Sequence, residues 1–125
     1  NVMGNVASEA AYTHGEEWLN DLMHYLAGNL DFMEDYLQTE IPELTMMRPE
    51  GTYLVWVDFS ALRFNDDELN QFIIREAELG LNRGSMFGKN GELFMRFNIA
   101  CPRVLLEKGL KQLKAAINKH KTDGK

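Results

Sequence analysis

The stretch Glu92–Ala100 constrains this chain most, because Leu93, Met95, Phe97 and Ile99 alternate with Phe94, Arg96, Asn98 and Ala100. Successive side chains on a β-strand point to opposite faces, so a period of two specifies a strand with one apolar face turned to a core. The opposite face then carries Arg96 and Asn98, two residues apart. An arginine on a strand bounded by apolar side chains needs a partner, since an unpaired buried charge is costly. Its planar fork matches a carboxylate or phosphate through two parallel hydrogen bonds. The pattern by itself favours an ion pair with one of the chain's many acids, the commoner fate of such an arginine. A ligand's anionic group is the alternative.

Elsewhere the hydrophobic period changes. Residues 2–13, with Ala7, Ala10 and Ala11, read as a short helix interrupted at Gly15. Trp18, Leu19, Leu22, Met23, Leu26, Leu30, Met33, Tyr36 and Leu37 then recur at steps of three and four, which predicts a long helix. Gly28 sits inside that stripe and should weaken or bend it by about 1 kcal/mol relative to alanine. Ile41-Pro42 ends it, because proline disfavours a helical conformation at the preceding residue. Pro49-Glu50-Gly51 is a turn signal feeding the β-prone run Tyr53–Phe59. Asn65 followed by Glu68 has the spacing of a capping box. The helix it opens carries Leu69, Phe72, Ile73 and Ala77 on one face and stops near Gly80. After the short extended piece at residues 81–83 and a glycine loop comes the alternating strand, closed by Pro102. Leu106, Leu110, Leu113 and Ile117 then define a final amphipathic helix. This order predicts an α+β fold: a small sheet with strands near 53–59, 81–83 and 92–100, packed with helices and preceded by a long helix.

A length of 125 residues suits a single core, and 45% hydrophobic with 26% charged residues makes disorder the wrong default. The net charge of −6 argues against a general nucleic-acid binder. Acids dominate residues 9–50, whereas Lys108, Lys111, Lys114, Lys119, Lys121 and Lys125 crowd the C-terminus. Lysines late in a helix complement its dipole, so a solvated helix end is favoured over a nucleic-acid or membrane patch. Cys101 is the single cysteine, which excludes an intrachain disulfide and makes a reducing cytoplasm the expected compartment. No apolar run approaches the roughly 20 residues that cross a bilayer, and the N-terminus lacks the pattern of a signal peptide. The chain starts at Asn1 without an initiator methionine, so it is expected to be a piece of something longer.

Several motifs are weaker than they look. Gly84…Gly88-Lys89 is one residue short of a phosphate-binding P-loop, has Asn90 where Ser or Thr is needed, and precedes a strand instead of a helix. Residues 84–91 read equally well as a hairpin connection or as a shaped loop that approaches a ligand. His14 has no second histidine at metal-ligand spacing, and His24 suits surface or packing. Cys101 reads as a small buried hydrophobe without a catalytic partner. Trp18, Trp56 and the methionines read as core or interface, and Asp66-Asp67-Glu68 as a helix-start charge cluster rather than acid–base machinery.

The stretch Gly84-Ser85-Met86-Phe87-Gly88, with Phe94-Met95-Arg96-Phe97-Asn98-Ile99-Ala100-Cys101-Pro102-Arg103, closely resembles the end of class I/II aminotransferase-like enzymes. It looks most like their cystathionine β-lyase, or C–S lyase, branch. Asn5–Tyr12 with Gly15–Leu19 resembles the helices that follow the family's cofactor lysine, and Pro49–Asp58 resembles its first small-domain strand. The similarity runs from about residue 5 to about residue 118.

The resemblance implies a small C-terminal domain at residues 41–125, preceded by a helical segment at residues 1–40 that links to an absent domain binding pyridoxal phosphate. It implies that Arg96 binds the α-carboxylate of an amino-acid substrate, with Gly84, Ser85 and Asn98 in lesser supporting places. Arg83 stands where a proline is common in the family, so the sequence departs from the family pattern at that position and the resemblance does not fix the loop's exact shape. No lysine lies in a matching Schiff-base motif, and the fragment alone is expected to be inactive. The implied whole is a cytoplasmic homodimeric C–S β-lyase acting on cystathionine- or cysteine-type amino acids. A class I/II aminotransferase is the alternative within the family, and a free-standing α+β ligand-binding module the alternative outside it. No nucleic-acid, membrane or metal partner is expected.

Overall fold

The computed structural model describes residues 1–123, so Lys125 of the basic tail lies outside the described residues. Helix α1 runs over Val2–His14 and α2 over Glu16–Glu40. Strands β1 (Thr45–Met47) and β2 (Leu54–Asp58) follow, then α3 (Asp66–Arg75), β3 (Asn82–Arg83), β4 (Phe94–Asn98) and α4 (Arg103–Asp123). The four strands form one antiparallel sheet in the order β1-β2-β4-β3. The α+β expectation holds, with two refinements. Each expected strand is shorter than its expected span, and β1 is an additional three-residue edge strand.

The sheet's two faces follow the period of two. Val55 and Val57 of β2 and Met95 and Phe97 of β4 are buried beneath the helices. They meet Met33 and Leu37 of α2, Leu69, Phe72 and Ile73 of α3, and Leu106, Leu110, Leu113 and Ile117 of α4. Each large apolar side chain removed from water contributes about 1.5–3 kcal/mol, which makes this shared face the main source of stability. Helix α3 starts where expected: the Asn65 side chain accepts from the Glu68 amide at 2.9 Å, and the Glu68 carboxylate accepts from the Asn65 amide at 2.8 Å. It ends at Arg75, five residues before Gly80, and the chain reverses through Glu78 in the left-handed region at φ 54°.

The stripe along α2 divides in two. Leu30, Met33, Tyr36 and Leu37 pack on the core, whereas Trp18, Leu19 and Met23 are exposed and no residue of α1 is buried. Trp18 is therefore not a core residue. Gly28 faces Arg103, and a Cβ there would lie 3.2 Å from that guanidinium. Close approach of another side chain accounts for this glycine.

One buried polar residue ties α2 to the end of β4. Asn29 is fully buried, and its Nδ2 donates to the carbonyls of Ile99 at 2.8 Å and Cys101 at 3.0 Å. Its Oδ1 accepts from Arg103 Nε at 2.7 Å. The Arg103 guanidinium lies 4.7 Å over the Phe32 ring, and its amide donates to the Tyr25 hydroxyl at 2.7 Å. Asn29 thus satisfies the chain as it leaves β4, which ends at Asn98, four residues before the expected stop at Pro102. Cys101 is half-buried against the core rather than fully enclosed.

The lysines of α4 behave as a solvated helix surface. Lys111 pairs with Glu107 one turn away, Lys114 with Glu40, Lys119 with Glu76 and Lys121 with Glu43. Among the described residues no helix is long and apolar enough to cross a membrane, and no cluster of three potential metal ligands forms.

Candidate functional site

The face of the sheet away from the helices carries a row set by strand register. Met47 pairs with Trp56, Trp56 with Arg96, and Arg96 with Asn82. Arg96 therefore stands in the middle of the sheet, flanked by an indole on one side and an amide on the other. Its Nη2 donates to Asn82 Oδ1 at 3.1 Å. No carboxylate pairs with it among the described residues, so the ion pair favoured by sequence pattern alone does not form. The register explains this: its cross-strand neighbours are Trp56 and Asn82, and the nearby acids Asp66 and Asp67 are taken by Arg83 instead.

The Nε of Arg96 is buried and has no hydrogen-bond partner. A buried donor left unsatisfied costs about 1–3 kcal/mol, more when it is charged. Phe87 holds the guanidinium from one side, with the charge 4.3 Å from the ring centroid. The same ring meets Trp56 edge-on at 5.4 Å, 86° between planes. A ring stacked on the guanidinium's face fixes its plane and leaves the in-plane donor edge for an anion.

Phe87 is placed by the loop between β3 and β4, which the sequence leaves open between a hairpin connection and a shaped loop. It consists of two 3-10 turns, Gly84–Phe87 and Lys89–Gly91, joined at Gly88 with φ 133°. Gly84 is buried, and a Cβ there would overlap the Gly91 carbonyl oxygen and sit 2.7 Å from that of Phe94. The two turns can close only because both backbones lack side chains at that crossing. Beside the Phe87–Trp56 pair an open groove of about 610 Å³ is lined by Met47, Trp56, Phe87, Phe94 and the Gly88–Gly91 backbone.

Asn98 lies on the Arg96 face, but its Oδ1 accepts from the Ala100 amide at 2.9 Å and turns the chain at the strand's end. Ser85 sits half-buried in the first of the two 3-10 turns. His24 Nδ1 lies 2.8 Å from the Asn20 carbonyl on the exposed helix surface, and His14 is exposed at the end of α1.

Sequence reasoning missed Asp66. Its Oδ1 accepts from the Leu93 amide at 3.1 Å and its Oδ2 from Arg83 Nε at 2.5 Å. Burial raises its pKa, but the hydrogen bonds from Ser85, the Leu93 amide and Arg83 outweigh it and hold the carboxyl below the ordinary aspartate value. The capping spacing at Asn65 hides this role, because it explains the local acids without their distant partners.

No family model matches the chain. It is 40% identical over 118 residues to cystathionine beta-lyase PatB of Bacillus subtilis, covering 94% of this chain and 30% of that protein. It is 37% identical over 116 residues to protein MalY of Escherichia coli, covering 93% and 30%. Cystalysin from Treponema denticola, a crystal structure containing a pyridoxal 5'-phosphate cofactor, superposes with a TM-score of 0.91 at 30% identity, covering 94% of this chain and 30% of that one. The chain therefore spans about 30% of the length of these relatives. It is a homologue of the cystathionine β-lyases and of pyridoxal-phosphate proteins of the aminotransferase fold, and it corresponds to a small C-terminal part of those much longer chains.

Proposed function

We propose that this chain supplies the substrate-carboxylate site of a pyridoxal-phosphate-dependent C–S β-lyase, with Arg96 gripping the α-carboxylate of a cystathionine- or cysteine-type amino acid. The observation that carries this reading is the buried, unpartnered Arg96 Nε beside an Asn82-tethered, Phe87-stacked fork. A carboxylate is the planar anion that such a fork holds through two bonds, and the grip fixes how the amino acid's Cα is presented.

These residues fit the substrate's carboxylate rather than the cofactor's own anchorage. The donor set is one guanidinium edge on an apolar row, and the lysines of α4 are largely engaged with carboxylates. The cofactor and its lysine would sit on the remainder of the protein, where the bound cofactor supplies an electron sink for cleavage of a C–S bond. Trp56 and Phe87 keep water from the guanidinium and Asn82 holds its rotation. Gly84 and Ser85 shape the loop, and Asn98 ends the strand that carries Arg96.

Residues 1–40 form the helical link to that larger part, through the exposed side chains of α1 and the first half of α2, and residues 41–125 the small domain. The whole would be a cytoplasmic homodimer, with the isolated chain inactive. In the full-length protein, Arg96→Ala should raise KM for the amino acid about 100-fold or more, the loss expected of a charge-assisted bidentate pair, and change kcat less. An unchanged KM in a correctly folded variant refutes the assignment.

A further inference from the structure

We infer that Asp66 is a positioning residue of the Arg96 site: one carboxylate clamps both ends of the Phe87 loop and so sets the plane of the guanidinium. The proposal rests on the carboxylate reading of Arg96 given above. It starts from a coincidence of partners. The loop of residues 84–92 leaves β3 at Arg83 and re-enters the sheet at Leu93. Arg83 donates to Asp66 Oδ2 at 2.5 Å and the Leu93 amide to Asp66 Oδ1 at 3.1 Å. Both loop ends therefore converge on one side chain, anchored at the first turn of α3 and 15% exposed.

The clamp holds a backbone that would not otherwise stay. Leu93 lies in the left-handed region at φ 66°, which disfavours any residue with a Cβ by roughly 1–2 kcal/mol. Its amide is fixed by Asp66 and its carbonyl accepts from the Phe59 amide at 2.9 Å. That conformation turns the chain from the second 3-10 turn into β4, three residues before Arg96. At the loop's other end, the Gly84–Gly91 crossing transmits the anchorage to Phe87, whose ring stacks on Arg96 and Trp56. Loss of the carboxylate removes an anchor from both ends together, although Arg83 keeps Asp67 and the Leu93 carbonyl keeps Phe59, whereas loss of a single loop partner loosens one end.

Asp67 provides the control. It carries the same charge in the same helical turn and pairs with Arg83 at 2.6 Å, but its side chain is 83% exposed and it does not bond Leu93. The experiment uses the full-length protein with Asp66→Ala, Asp66→Asn, Asp67→Asn and Arg96→Ala. It measures amide hydrogen exchange in the segment spanning Leu93, and affinity for L-cystathionine and for its analogue decarboxylated at the Cα bound by the site.

Asp66→Ala should speed Leu93 exchange at least tenfold and weaken amino-acid binding about tenfold, the worth of a charge-assisted hydrogen bond, with the decarboxylated analogue unaffected. Asp67→Asn should leave both readouts within about twofold, the scale of an exposed pair. Asp66→Asn retains an acceptor for Leu93 and, folding more readily than the alanine variant, should give an intermediate loss. Faster exchange with unchanged binding overturns the proposal, since Asp66 would then be structural only. Equal effects of Asp66→Ala and Asp67→Asn also overturn it. If Arg96→Ala weakens binding and Asp66→Ala does not, this inference alone fails. If Arg96→Ala leaves binding unchanged, the carboxylate reading fails and takes this one with it.

Discussion

Removing the Asn29 amide should be among the most damaging single changes away from the proposed site. Asn29→Ala deletes three hydrogen bonds at once: those to the Ile99 and Cys101 carbonyls and the one from Arg103 Nε. The Ile99 carbonyl sits in the core and bears the full penalty of a buried unsatisfied group, about 1–3 kcal/mol. Cys101 and Arg103 are half-buried and can partly recover with water, so each adds a fraction of that. With the small void left by the amide, the loss comes to about 3–4 kcal/mol. Urea denaturation followed by far-ultraviolet circular dichroism is the assay. At a slope of about 1–2 kcal/mol per molar, the midpoint should fall by about 2 M without a change in slope. Asn29→Asp is the informative companion. It keeps the Arg103 partner but points a carboxylate oxygen at two carbonyls, so it should lose stability at neutral pH and regain part of it as the acid takes up a proton to donate. A loss below about 0.5 kcal/mol for Asn29→Ala would refute the reasoning, because that is the scale of a surface substitution.

Gly84→Ala should destabilise the chain by about 1–3 kcal/mol, the usual cost of overpacking, because its Cβ meets the Gly91 carbonyl; Gly51→Ala, in open space, should be close to neutral by the same melt. Asp66 should contribute to an acid limb. Its folded pKa is depressed, so its stabilisation is fully present above the ordinary aspartate value and is lost as pH falls through the lower folded value. Asp66→Asn should therefore be less stable than the parent at neutral pH, with the gap closing below about pH 4 in a pH series of denaturation midpoints. Persistence of the full gap at pH 2 would contradict this.

How much of the fold was legible depended on how local its cause was. The strand of Arg96 announced itself through strict alternation, and the start of α3 through a cap and box four residues long, so both stand where they were expected, whereas α3 ends at Arg75, short of Gly80. Strand β1 did not, because three residues cannot display a period and its edge position leaves Thr45 and Met47 exposed. The stripe on α2 was read as one surface, although only its second half meets the core; periodicity reports an apolar face and not what covers it. The site divides the same way. Arg96 was identifiable, but its partner was not, since register with Trp56 and Asn82 decides that no acid reaches it. Asp66 and Asn29 act on groups 27 and about 70 residues away, and no local pattern encodes such pairings. Glycines 84 and 91 were visible as a loop signal, while the backbone crossing that requires them was visible only in three dimensions.

The grip of Arg96 on an α-carboxylate can be isolated from every other contact by comparing two ligands on two proteins. In the full-length protein, L-cystathionine and its analogue decarboxylated at the gripped Cα are each titrated against the parent and against Arg96→Ala. The parent should prefer the amino acid by about 100-fold or more, on the scale of 3 kcal/mol for a bidentate charge-assisted pair, and Arg96→Ala should abolish the preference by weakening only the carboxylate-bearing ligand. A preference that survives in the Arg96→Ala protein would contradict it.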